Sequence, residues 1–218
     1  FNYLIHKLGY EIIPFVDPSK FPVDQYESGY KENEEVGAVN LSEKIKRVKE
    51  GKPFELPEMV AVNCAVAKNF INGEKKIVNI GAGTATFEWY ASEYLKNVQF
   101  IASEFDKDCH NWCKNNRPRT NVTYCTDSAA DLLKKYGKFD LLVCFDVIEH
   151  IHDYGGFLKD LITLSDRAVF STTNKARSKE ALHASPPMYY QHVREWTAGE
   201  FYWVLRMFYP KVTLFTVS

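Results

Sequence analysis

Asp146, Glu149 and His150 stand at i, i+3 and i+4. On one helical turn that spacing gathers two carboxylates and an imidazole. Such a group can take a proton from a hydroxyl, or it can ligate a divalent cation. Its bland role is to stabilise a helix start and the loop before it. Further along, His183 and His192 can add an imidazole from a separate segment, and His192 is placed to reach the same site from above. A second group is built to hold a ligand. Gly81-Ala82-Gly83 follows the apolar run IVNI and precedes a helical pattern, as loops for nucleotide-like ligands do. Position 86, where a dinucleotide fingerprint wants a third glycine, is Thr86. Glu104 can accept hydrogen bonds from two ribose hydroxyls, or simply sit at a helix start where the dipole favours an acid. Asp127 can accept from an adenine amino group, or cap the helix that begins near Ser128.

These residues need a scaffold that puts them side by side, and the pattern from Lys76 onward supplies one. Strands are expected at 77–80, 98–103, 121–125, 139–145, 167–172 and 211–217, with helices at 85–95, 106–116, 128–136, 153–164 and 197–208. Thr197-Ala198-Gly199-Glu200 reads as a capping box for the last helix, and Pro210 lies just past its end. Alternation of this kind implies parallel crossovers and an α/β, doubly wound, mostly parallel Rossmann-like sheet. Its ligands bind beyond the carboxyl ends of the strands. Those ends are Asn79 to Gly83, Glu104, Asp127, Phe145 to His150, and Thr172 to Asn174.

Ahead of this array, residues 1–55 read as an N-terminal lead-in that covers the site. Asn40-Leu41-Ser42-Glu43 resembles a capping box there and opens a basic helix to about Glu50. Residues 56–218 form the main domain. After Pro57, the residues Met59, Val62, Val66 and Phe70 share one helical face.

The chain of 218 residues carries a formal net charge of −1, which gives no global drive toward nucleic acid or anionic membrane. No apolar run approaches the roughly 20 residues of a membrane span. The five cysteines form no CxxC pair. Cys109 and Cys113 lie four apart with no second ligand pair nearby, so reduced thiols and a cytoplasmic setting are expected rather than a metal centre. The chain begins at Phe1 rather than Met, which leaves targeting open.

From about residue 56 the array resembles the class I S-adenosylmethionine-dependent methyltransferases. Asn79-Ile80-Gly81-Ala82-Gly83-Thr84-Ala85 is similar to the family's first motif, an acid and a hydrophobe before GxGxG; Asn79 replaces the acid and Ala85 the third glycine. Ser103-Glu104-Phe105-Asp106 and Cys125-Thr126-Asp127-Ser128 resemble the second and third motifs. The run Phe139 to Ile151, with Val147-Ile148-Glu149-His150, resembles the "VxEH" signature of methyltransferases acting on ubiquinone precursors and other small molecules. The resemblance implies S-adenosylmethionine as cofactor. It would be held by Asn79, Gly81, Ala82, Gly83, Glu104, Phe105, Asp127, Ser128, Phe145, Asp146 and Val147. Asn79 would hold the loop by hydrogen bonds without bringing a charge to the cofactor.

The resemblance further implies O-methylation of a small molecule or sugar, with Glu149, His150 and His192 at the catalytic end. There His150 acts as a general base, or the acidic-histidine group binds a metal, as a similar arrangement does in related small-RNA 2′-O-methyltransferases and ubiquinone-pathway enzymes. N-methylation and RNA 2′-O-methylation are alternatives. A nicotinamide-dependent oxidoreductase and a non-catalytic cofactor-binding subunit are remote ones. In this family the segment 183–196 closes over the acceptor, with Tyr189, Tyr190 and Trp196 available to stack on it. Family members also close the sheet with an antiparallel seventh strand. The sequence ends on the expected sixth, so a C-terminal strand is expected to be missing.

Overall fold

A computed structural model describes residues 71–175, 187 and 192–214. The expected lead-in and its helices lie outside the described residues, as do His183, Tyr189 and Tyr190. In chain order the elements are β1 (Lys76–Ile80), α1 (Thr86–Tyr94), β2 (Gln99–Ser103), α2 (Lys107–Asn116), β3 (Val122–Cys125), α3 (Ala129–Tyr136) and β4 (Leu141–Phe145). A 3-10 turn (Ile148–His150), α4 (Tyr154–Leu164), β5 (Ala168–Ser171) and α5 (Ala198–Arg206) follow.

The strands form one sheet in the order β3-β2-β1-β4-β5, and every pairing is parallel. Strand order therefore reverses between β1 and β4, which opens a crevice beyond their carboxyl ends. The Asp140 carboxylate fixes the entry of β1 by accepting from the amides of Lys75 and Lys76, at 2.9 Å each. These two donors hold its pKa below the usual carboxylate value.

Alternation along the strands builds a core on each face. Ile77, Phe100, Leu141 and Val143 join Phe87 and Cys113 on one side. Val78, Ile101, Leu142 and Cys144 join Leu132, Leu161 and Leu164 on the other. Each fully buried Leu, Ile or Val contributes about 1.5–3 kcal/mol over leaving it in water. A third cluster of Ile148, Leu158, Trp196, Phe201 and Leu205 seats α5 beside α4. Thr197 and Glu200 form the expected capping box.

The strand expected at 211–217 differs. Residues 211–214 carry no strand, and the rest lie outside the described residues. Val212 and Leu214 would share a face in a strand, yet Val212 packs on the third cluster while Leu214 is exposed. No described helix is long and apolar enough to cross a membrane.

Candidate active site

The glycine loop leaves β1 strapped to its neighbour: the amides of Gly81 and Ala82 donate to the Ser103 carbonyl at 2.9 and 3.1 Å. Gly81, Gly83 and Ala85 all have positive φ, which only glycine adopts without strain. A Cβ on Gly81 would overlap the Val147 side chain, whereas one on Gly83 would meet nothing within 4 Å. The loop is thus packed at its root and open at its tip. Below it, Asn79 is buried, and its Oδ1 has no hydrogen-bond partner among the described residues. That oxygen does not hold the loop as expected.

Glu104 at the end of β2 is buried, and its carboxylate braces the loop. Oε2 accepts from the Gly83 amide at 2.6 Å, and Oε1 accepts from the Asp106 amide at 2.9 Å. Burial raises its pKa, against the pull of those donors. The next side chain, Phe105, is 79% exposed. After β3, Ser128 and not Asp127 caps the helix, by accepting from the Asp131 amide. The Asp127 carboxylate instead receives Lys135 Nζ at 2.7 and 2.8 Å, while its carbonyl accepts from Ser103 Oγ.

Beyond β4 the chain turns sharply. Phe145 rests edge-on against Phe87. Asp146 adopts φ 52°, and its Oδ1 accepts from Ser171 Oγ at 2.8 Å. The turn that follows begins only at Ile148, so Asp146 does not share it with Glu149 and His150 as the spacing predicted. Glu149 and His150 are joined instead by His192, the third residue expected at this end of the site. One ligating atom each from Glu149, His150 and His192 lies within 4.8 Å of the others. The two imidazoles meet edge to face, with centroids 4.9 Å apart.

Glu149 is 1% exposed, and its Oε2 has no hydrogen-bond partner among the described residues. Burial pushes its pKa up to about 7, and the charge of Asp146 adds to the rise. The segment bearing His192 is fastened to this turn, because the Glu149 carbonyl accepts from the amides of Val193 and Arg194 at 2.8 and 3.1 Å. It is also fastened to the chain after β5, where the Lys175 amide donates to the Trp196 carbonyl.

Trp196 does not face an acceptor. It is 1% exposed and packs edge-on to Tyr154 and against Phe201. Sequence reasoning missed Ser171 and Glu195. Glu195 Oε1 lies 2.7 Å from His192 Nδ1; their i, i+3 spacing was readable, but nothing marked that irregular segment as ordered.

A family model described as "Methyltransferase domain" matches residues 58–208. No curated protein matches the chain significantly. Among solved structures, the plantazolicin methyltransferase BpumL in complex with a triazolic desmethylPZN analog and SAH is 13% identical. The alignment covers 95% of this chain and 77% of that one, with a TM-score of 0.59. The methyltransferase domain of bacterial CtHen1-CN is 21% identical, covering 69% of this chain and 83% of that one, with a TM-score of 0.51. At these identities the likeness is one of fold.

Proposed function

The chain belongs to the methyltransferase-domain family and is a class I S-adenosylmethionine-dependent methyltransferase, and we propose that it methylates a hydroxyl of a small molecule or sugar. Bound S-adenosylmethionine supplies a methyl group on a positively charged sulfur, open to in-line attack. The residues beyond β1 and β2 fit it. The loop is open at Gly83, Glu104 braces it, Phe105 beyond it is exposed, and the orphaned Asn79 Oδ1 lies at its base. In this reading Gly81 to Gly83 admit the cofactor and Glu104 takes the ribose through lone pairs its two amide donors leave over. Asp127, Ser128 and Phe145 to Val147 complete the wall.

The observation that carries the hydroxyl acceptor is the Glu149–His150–His192 trio after β4. An imidazole titrates near neutrality and suits the removal of a hydroxyl proton. Aligning the acceptor with the methyl group is the larger part of the work. A second reading, in which the trio holds a divalent cation, is favoured by the unpartnered Glu149 Oε2 near two imidazoles. A cytoplasmic setting belongs to the same reading, supported by free thiols at Cys113, Cys125 and Cys144.

The test is a panel of hydroxyl, amine and RNA acceptors with methyl-labelled S-adenosylmethionine, run with and without EDTA. Label on oxygen of a small molecule is expected. Label on nitrogen or on RNA overturns the acceptor class.

A further inference from the structure

We propose that Glu195 is a positioning residue that fixes His192 as its Nδ1–H tautomer and so keeps the lone pair on Nε2; this rests on the trio being the acceptor end of the site. The pair is closely shielded: the His192 side chain is 10% exposed and that of Glu195 1%, with Nδ1 and Oε1 2.7 Å apart. A neutral imidazole has one N–H and one lone pair, and a carboxylate is an acceptor only. Glu195 therefore draws the N–H onto Nδ1, and the lone pair stays on Nε2, on the opposite side of the ring. That nitrogen can then take a hydroxyl proton or ligate a cation; the other tautomer could do neither there. A carboxylate behind a functional histidine performs this service in many sites, and its loss weakens metal binding or activity about 10–100-fold.

The backbone around the ring is held independently. Val193 and Arg194 donate to the Glu149 carbonyl on one side, and Trp196 accepts from Lys175 on the other. The ring itself lies edge to face on His150. Removing the Glu195 carboxylate should therefore release the tautomer without releasing the segment.

Long-range proton–nitrogen correlation spectra of the imidazoles decide this, with His192→Ala to assign the signals. In the wild type His192 is expected as Nδ1–H. In Glu195→Ala the ring should move toward the Nε2–H form, and Glu195→Gln, which keeps an acceptor oxygen, should largely restore Nδ1–H. Titration with S-adenosylhomocysteine checks that each variant is folded. An Nε2–H ring in the wild type, or an unchanged Nδ1–H ring in Glu195→Ala, overturns the proposal.

Titration with Co²⁺, followed by its visible absorption, separates this from the reading it rests on. Binding to the wild type that weakens about 10–100-fold in Glu195→Ala supports both. A tautomer shift without any Co²⁺ binding supports the role of Glu195 and overturns the cation version of the trio.

Discussion

Glu104 accepts a hydrogen bond from the Gly83 amide at 2.6 Å, so the acid at the end of β2 braces the loop that leaves β1. One carboxylate therefore shapes the loop and, in the proposed function, also meets the ribose. Glu104→Ala should weaken S-adenosylhomocysteine binding by roughly 1.5–3 kcal/mol, the range for hydrogen bonds to a charged group. Isothermal titration measures it, and an unchanged affinity would remove Glu104 from the cofactor site.

The two loop glycines should respond differently to alanine. Gly81→Ala pushes a methyl into Val147 at a positive φ, combining overpacking of about 1–3 kcal/mol with about 1–2 kcal/mol of left-handed strain. Gly83→Ala carries only the strain, because its Cβ would stand in open space. Urea denaturation should rank them so. In the proposed function the added methyl would stand where the cofactor lies, so Gly83→Ala should nevertheless lose about tenfold or more in S-adenosylhomocysteine affinity, matching an overpacking cost of about 1–3 kcal/mol. A Gly83→Ala protein that binds normally would place the cofactor elsewhere.

The strand ends were legible because short apolar runs stop at Gly, Glu or Asp, and a parallel sheet lines such stops along one edge. What spacing could not see was long-range partners. Asp146, Glu149 and His150 have helical spacing, yet Ser171 captures Asp146 before the turn begins at Ile148. His192, which the sequence did offer for this end of the site, takes its place from more than forty residues away. Trp196 looked available for stacking because it lies in an irregular segment; the docking of α5 buries it. Ala85 shows the converse. It departs from the glycine pattern but keeps the left-handed backbone glycine would adopt, with φ 51°.

Stability should fall as pH rises from about 4.5 to 7. The Glu149 carboxyl titrates near 7 when folded against an ordinary value of 4.5, so the folded chain holds a proton the unfolded chain has released. The loss from this one group is roughly 3 kcal/mol, complete above pH 7. Glu104, also raised by burial, adds in the same direction. Denaturation in EDTA across this range should show a shallower slope for Glu149→Gln than for wild type, with the variant the more stable at pH 8. An equal slope would mean that Glu149 is ionised throughout.

His150 is the sharpest probe of the chemistry. It shares the turn after β4 with buried Glu149, and His192 meets it edge-on from the segment fastened above. None of the three forms the glycine loop or its Glu104 brace. His150→Ala should therefore lower turnover on a hydroxyl acceptor by about 10²–10⁴-fold and leave S-adenosylhomocysteine affinity nearly unchanged. EDTA divides the remaining possibilities. A base survives chelation, whereas a cation site loses activity until the metal is restored. If His150→Ala turns over normally, the trio only fastens the turn to the segment above it, and the acceptor must be activated elsewhere.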